Sequence, residues 1–380
     1  MAAQQYTLPP IEQILDPVEV NPDPTIVQAQ KQIIEKTLAE LGVEVRVGDM
    51  RTGPTLTQFG IKPGPEVKVS QIRKLTDDLA LALGGLPVRL EDPTANYPYL
   101  RLIIPAPQHN GVKLRQLFDS PLLQKQSGGL KVGLGVDTFT RPVVIDLTTL
   151  PHLLIGGTTG SGKSVCLNTM IAGLLCRHSP QQIQLLLIDP LQIELSHFGG
   201  IPHLLVPVVS RTDQVIDALN AVINEMERRF TNLSKLGVRD VAAYNQQAAH
   251  TNRPPIPYIA IFLDNLTDLM QAAGKEVTQA LTRIAAMGRS AGIHLVIATQ
   301  RSNVDVVTGA LKANAPARIA FRVLDSADSR LILDAAGAEE LFGAGDMLYR
   351  APNSSLLQRI QGVQVSDDEL KRIVNHWQRS

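Results

Sequence analysis

Residues 157–164, Gly-Thr-Thr-Gly-Ser-Gly-Lys-Ser, constrain this chain more than any other stretch. They fill every defined position of the phosphate-binding loop G-x-x-x-x-G-K-[ST]. Gly157, Gly160 and Gly162 let the backbone turn its N–H groups inward as a nest for the α- and β-phosphates of a nucleotide. Lys163 then reaches the β- and γ-phosphate oxygens, and Ser164 offers its hydroxyl to Mg²⁺. Thr158, Thr159, Ser161 and Val165 complete the stretch expected to touch the nucleotide. The run His152–Ile155 predicts a short buried strand before the loop, and Ser164–Cys176 predicts a helix after it. That order sets the phosphates at a helix N-terminus, where unpaired N–H groups and the dipole favour anions. ATP and Mg²⁺ are the cofactors this implies.

Bulk properties narrow the setting. A length of 380 residues suits two or three domains with full-sized cores. Formal net charge is zero, so no global field draws the chain to nucleic acid or membrane, and any DNA contact must be local or arise from assembly. The two cysteines, Cys166 and Cys176, both fall in the apolar helix after the loop, which fits buried thiols in a reducing cytoplasm. No apolar run approaches the ~18 residues of a membrane span. The first thirty residues lack Lys and Arg, unlike a signal or transit peptide. A cytoplasmic chain is expected.

Along the chain, residues 1–24 are rich in Pro, Gln and acids and read as a flexible tether. Residues 25–137 read as a small α+β domain: a helical pattern over Thr25–Leu41, strand-like runs at Val43–Val47 and Thr55–Ile61, a helix at Val69–Leu83, and short strands at Val88–Glu91 and Leu100–Pro105. Residues 138–380 alternate strands and helices, which implies an α/β domain with a mostly parallel sheet covered by helices. Ligands of such sheets sit at the carboxyl ends of strands. Three strands here end in polar groups, at Asp189, Asp264 and Thr299-Gln300.

The apolar run Tyr258–Leu263 ending in Asp264 has the form of a Walker B strand, with Asp264 binding Mg²⁺ alongside Ser164. The next residue is Asn265, where most ATPases of this architecture carry the Glu that orients the attacking water. A carboxamide holds a water but does not take its proton near neutral pH. Asp268 and Glu194 are the nearest other carboxylates, and neither is an obvious stand-in by sequence position. Gln300 is a candidate sensor of the γ-phosphate or of the water. Arg318, Arg322 and Arg330 are candidates for a finger reaching a neighbour's nucleotide.

These residues and others bring the chain close to a known family. Leu186-Leu-Ile-Asp-Pro190, Glu194-Leu-Ser196 and Gly200-Ile-Pro-His-Leu-Leu205 resemble FtsK/SpoIIIE-type DNA translocases. So do Asn224-Glu-Met-Glu-Arg-Arg229, Leu236-Gly-Val-Arg239, Ala291–Arg301, Val304–Gly309, Lys312-Ala-Asn314, Arg318-Ile-Ala-Phe321, Asp328-Ser-Arg330 and Gly345–Tyr349. Gly53–Gln58 and Pro65–Ser70 look like the α domain that precedes the RecA-like β domain of that family. The resemblance runs over roughly residues 30–378. It implies a RecA-like P-loop ATPase and an oligomeric ring, commonly a hexamer, that moves double-stranded DNA with ATP. It also implies pore-facing segments near Arg228–Arg239 and Ser302–Asn314, with Arg239 and Lys312 as candidate phosphate contacts. The chain departs from the pattern at Asn265 (usually Glu), Leu191 (usually Lys) and Ser302 (usually Pro). The family's membrane-spanning N-terminus and winged-helix domain are not in this sequence, which leaves a free-standing or an excised motor, with a separate membrane-anchored or DNA-orienting subunit as one candidate partner.

Two functional readings follow, with a third below them. The first is an ATP-dependent motor for double-stranded DNA, serving chromosome segregation and cell division or DNA transfer. The second is a hydrolysis-impaired, nucleotide-gated DNA-binding ring, or an inactive subunit beside an active homologue, which Asn265 and Leu191 favour. A secretion or conjugation motor ranks lower, because residues 291–330 resemble the DNA pumps more closely.

Overall fold

The structure is a computed structural model and describes residues 6–17, 24–53, 56–93, 97–106, 111–124, 129–150, 152–251, 253–300 and 308–380. Two compact units emerge. The smaller comprises residues 18–112 with 138–141, and the larger comprises residues 1–17, 113–137 and 142–380.

In the smaller unit, helix α1 (Pro24–Glu40) precedes strands β1 (Val45–Thr52) and β2 (Leu56–Pro63). Helices α2 (Val69–Lys74) and α3 (Thr76–Ala82) and strands β3 (Arg89–Glu91) and β4 (Leu100–Pro105) follow. The strands form an antiparallel sheet in the order β1-β2-β4-β3. One sheet face, carrying Phe59, Ile61, Leu100, Leu102 and Ile104, packs on Ile34 and Leu38 of α1, Ile72 of α2 and Leu79 of α3. Period-two alternation on the strands and 3.6-residue spacing on the helices bring these apolar residues together.

The larger unit contains β5 (Lys131–Asp137), β6 (Pro142–Asp146), β7 (Leu153–Gly156), α4 (Lys163–Leu175) and β8 (Ile183–Ile188). Then come α5 (Thr212–Lys235), α6 (Val241–Thr251), β9 (Tyr258–Leu263), α7 (Leu266–Met287) and β10 (Ile293–Thr299). The chain closes with α8 (Gly309–Asn314), β11 (Ala317–Phe321), α9 (Ser326–Leu333), β12 (Asp346–Arg350), β13 (Leu357–Gln364) and α10 (Asp367–Gln378). The sheet runs β6-β5-β13-β12-β11-β7-β10-β9-β8.

From β11 to β8 the pairs are parallel, which is the sheet the alternating sequence predicts. From β11 to β6 they are antiparallel, so the sheet is mixed. The parallel strands are continuous apolar runs because helices cover both their faces. Residues of α5 (Val215, Leu219, Val222, Met226) and α7 (Val277, Leu281, Ile284) close one face over Leu186, Ile261 and Leu295.

Two boundaries differ from the sequence reading. The break expected at 137/138 falls elsewhere, because β5 pairs with β13 inside the larger sheet, Val136 opposite Gln361. The expected tether also proves partly packed. Residues 11–14 are helical, Leu15 is 2% exposed, and Thr7 O accepts a hydrogen bond from His376 Nε2 at 2.7 Å. Arg372 on α10 donates to Ile14 O at 2.8 Å and pairs with Asp16 at 2.6 Å, while Tyr6 lies against Trp377. The apolar anchors Tyr6, Ile14 and Leu15 outweigh the Pro- and acid-rich composition around them. Among the described residues no helix is long and apolar enough to cross a membrane.

Candidate active site

Parallel pairing brings four strand ends to one edge. Ile188 lies opposite Leu263, Leu263 opposite Ile297, and Thr299 opposite Gly156. Asp189, Asp264 and Gln300 therefore stand beside the loop that leaves β7. Gln300 accepts a hydrogen bond from the Thr159 hydroxyl at 3.2 Å, which ties the end of β10 to the loop.

The loop itself is braced at several points. Thr158 N donates to Arg322 O at 2.9 Å, Gly345 N donates to Ser161 O at 3.0 Å, and the Ser161 hydroxyl donates to Thr158 O at 2.7 Å. Gly162 has φ +119, and a Cβ there would come within 2.9 Å of Gly345 Cα, so only glycine fits. Helix α4 starts at Lys163. The Lys163 ammonium donates to Thr158 O at 2.8 Å, folded back over the cradle its backbone begins. Burial lowers its pKa to about 8, against the opposing pull of Asp264 and Glu194. Ser164 is half-buried and Val165 is exposed at the same turn.

Acidic groups face this lysine. Asp264 is 3% exposed, and its pKa is pushed up to about 6 by burial and then by the charges of Glu194 and Asp189. Asp189 is 1% exposed; its Oδ2 accepts from Glu194 N and Leu195 N, both at 2.9 Å. Its Oδ1 is buried without a hydrogen-bond partner among the described residues. A buried carboxylate oxygen lacking a donor, beside a second carboxylate destabilised by like charge, suits a divalent cation. No cluster of three or more His, Cys, Asp or Glu among the described residues holds an ion alone. A Mg²⁺ ion here would be shared with phosphate and water, and Ser164 and Asp264 would be its protein contacts. The ion would neutralise charge on the phosphates.

Asn265 adopts the left-handed conformation (φ +54, ψ +61), is 4% exposed, and stands at the N-cap position just before α7. Its Nδ2 donates to Asp268 Oδ2 at 2.6 Å. Asparagine tolerates this backbone region better than most residues. Asp268 is thereby engaged with Asn265. Glu194 is different: its charge acts on both Lys163 and Asp264. Sequence position hid this. The turn after Asp189, with Gln192 at φ +57 and Asp189 gripping two backbone N–H groups, folds Glu194 back toward the strand ends.

The arginine candidates separate. Arg318 is 8% exposed, bonded to the carbonyls of Ala315, Ile332 and Lys312 and paired with Asp334, so its guanidinium is engaged inside its own chain. Arg322 is exposed beside its own phosphate loop. Arg330 is exposed on α9, with one contact to Ser326 Oγ at 3.0 Å. Of the DNA candidates, Lys312 is paired with Asp334 at 2.7 Å and only 20% of its side chain is exposed. Arg239 lies in the turn between α5 and α6, 90% exposed, beside Asp240. Residues 301–307, which include Ser302 and half of one expected pore segment, lie outside the described residues.

A RecA-like sheet with a phosphate loop after β7 and an acidic strand end beside it defines a P-loop ATPase fold. The chain belongs to the FtsK/SpoIIIE family: the profile of that name matches residues 113–304, and the FtsK alpha domain matches residues 8–106. It is 42% identical over 379 residues to the DNA translocase FtsK of Staphylococcus epidermidis, covering 98% of this chain and 47% of that protein. It is 40% identical over 381 residues to the DNA translocase SpoIIIE of Bacillus subtilis, covering 98% and 48%. The chain therefore spans about half the length of the curated relatives it matches. Among solved structures, the pCW3 conjugation coupling protein TcpA, a monomer form with ATPγS, superposes with TM-score 0.61 at 20% identity, covering 91% of this chain and 99% of that one. The cytoplasmic domain of the Thermomonospora curvata type VII secretion ATPase EccC gives 0.62 at 24% identity, covering 71% and 34%. Both likenesses are of fold.

Proposed function

We propose that this chain is the ATP-driven motor of a double-stranded DNA translocase, working as an oligomeric ring in chromosome segregation and cell division. The observation that carries the reading is the convergence of Lys163, Asp264, Asp189 and Gln300 on one phosphate loop, in a chain of the FtsK/SpoIIIE family. The loop and Lys163 bind the phosphates, Ser164 and Asp264 hold Mg²⁺, and Gln300 contacts the loop where the γ-phosphate would lie. With Asn265 turned to Asp268, Glu194 is the carboxylate assigned to orient the attacking water and take its proton. Arg330 is the exposed arginine assigned to a neighbour's nucleotide, and Arg239 is assigned to the DNA backbone.

The second reading, a nucleotide-binding ring that does not hydrolyse, is favoured by the Asn265 to Asp268 hydrogen bond. ATP turnover with and without long duplex DNA separates the two. In the first reading the native chain turns over and DNA stimulates it, while Glu194→Gln slows turnover about 100-fold and still binds ATP. Turnover only in Asn265→Glu supports the second reading. Unchanged turnover in Glu194→Gln removes Glu194 from the mechanism.

A further inference from the structure

The nucleotide chemistry leaves one organised surface of the smaller unit without a role. Its sheet packs helices on one face, and the other face presents a different set of side chains. Across the register Arg46 lies opposite Lys62, Arg51 opposite Gln58, and Gly60 opposite Arg101. Gln58, Gly60, Lys62 and Arg101 alternate with Phe59, Ile61 and Leu102, and the bulge in β1 between Val47 and Met50 brings Arg51 to the same face as Arg46. Arg46, Arg51, Lys62 and Arg141 are exposed there.

Aromatic rings hold several of these cations. The Arg51 guanidinium lies 5.3 Å from the Tyr97 ring centroid and 5.0 Å from that of Phe139. Arg141 lies 4.9 Å from the Phe139 centroid, and the Lys62 ammonium 4.7 Å from that of Tyr99. Tyr97 is fixed in turn: its hydroxyl donates to Asp49 at 3.1 Å. It also crosses Gly60 so closely that a Cβ there would sit 2.6 Å from the Tyr97 oxygen. Asp49 also pairs with Arg51 at 2.9 Å, and Glu91 pairs with the buried Arg101 at 2.8 Å. Four exposed cations thus lie together at this face, in a chain of zero formal net charge.

Such cations are pre-ordered, because ring stacking removes rotamer freedom before any ligand arrives. The rings are occupied by those cations, so they do not offer free faces for stacking unpaired bases. What remains is an array of positive charge in which rings hold Arg51, Lys62 and Arg141, and Arg46 lies opposite Lys62. Along β1 it extends on the order of 15 Å from Arg46 to Arg51 by strand rise. That is about four base-pair steps of 3.4 Å. Phosphates of a duplex match this array, and phosphate contacts carry no sequence information.

We propose that this aromatic-braced basic face, built on Arg46, Arg51, Lys62 and Arg141, is a second contact surface for the phosphate backbone of duplex DNA, independent of base sequence. The inference rests on the DNA-motor reading above and extends it to the smaller unit.

The test is binding of the full chain to a labelled 40-base-pair duplex, followed by anisotropy over a range of KCl concentrations. Arg46→Gln, Lys62→Gln and Arg141→Gln are combined in one variant, with a charge-retaining counterpart (Arg46→Lys, Lys62→Arg, Arg141→Lys). The neutral variant is expected to bind about tenfold or more weakly, with a salt slope shallower by about 0.9 for each phosphate that is no longer neutralised. The charge-retaining variant should keep native affinity, and both should keep native ATP turnover without DNA and native oligomeric mass. A neutral variant with native affinity and slope overturns the inference alone. So does a loss of binding that tracks a loss of assembly, which makes the face a contact between copies of the chain, or an equal loss in the charge-retaining variant. Native chain that does not bind duplex at all brings down the DNA-motor reading, and this inference with it.

Discussion

The phosphate loop rests on backbone conformations that separate its glycines. Gly160 has φ +74 and open space where a Cβ would go, whereas Gly162 has φ +119 and Gly345 backbone in the way. Gly160→Ala therefore carries only the left-handed strain, about 1–2 kcal/mol. Gly162→Ala must also displace the turn at Gly345, so it should cost measurably more in chemical denaturation and weaken ATP binding further. Equal costs would show that the Gly345 contact does not hold the loop. Asn265 follows the same logic: a glutamate there enters the left-handed region and joins Asp264 and Asp268 in a buried acidic cluster. The loop residues are legible in the sequence because each obeys a local rule. Glu194 and Arg318 are not. Glu194 depends on a turn pinned by Asp189. Arg318 has the sequence position of a reaching arginine, yet its partners are carbonyls on both sides of it in sequence and Asp334, sixteen residues downstream.

At the scale of elements, continuous apolar runs reveal the parallel strands, whereas the antiparallel strands β5, β12 and β13 interrupt their apolar residues with polar and charged ones. Those charges are matched across the sheet: Arg359 of β13 pairs with Asp346 of β12 at 2.7 Å, both largely buried. A strand that satisfies its charges on a neighbouring strand has no signature in its own sequence. Helix α10 begins with a capping box, Ser366 with Glu369. Its packing against the end of α4 makes a pH prediction. His203 is 0% exposed, stacks edge-on against Trp377, and bonds to His178 O at 2.9 Å. Burial lowers the pKa of both His178 and His203 from 6.5 to about 4. The unfolded chain then binds more protons below about pH 6.5. Stability is full above that pH and falls as pH drops toward 4, by up to about 1.4 kcal/mol per unit per histidine. Denaturation midpoints at pH 7 and pH 5 should differ in the native chain and differ less in His203→Asn. A midpoint independent of pH would mean these rings do not limit acid stability.

For the whole molecule, zero net charge coexists with a nucleotide site and a basic surface, so the electrostatics that matter are local. Composition could not show this, because it averages Arg46, Arg51, Lys62 and Arg141 with every acid in the chain. In the proposed motor, phosphate chemistry at Lys163 drives movement along duplex DNA. Displacement of a third strand bound at the end of a linear duplex tests it directly, with the native chain and Lys163→Ala compared with and without ATP. Displacement is expected from the native chain only when ATP is present, with a loss of about 100-fold or more in Lys163→Ala. Native chain that hydrolyses ATP and binds the duplex, yet never displaces the third strand, would contradict it.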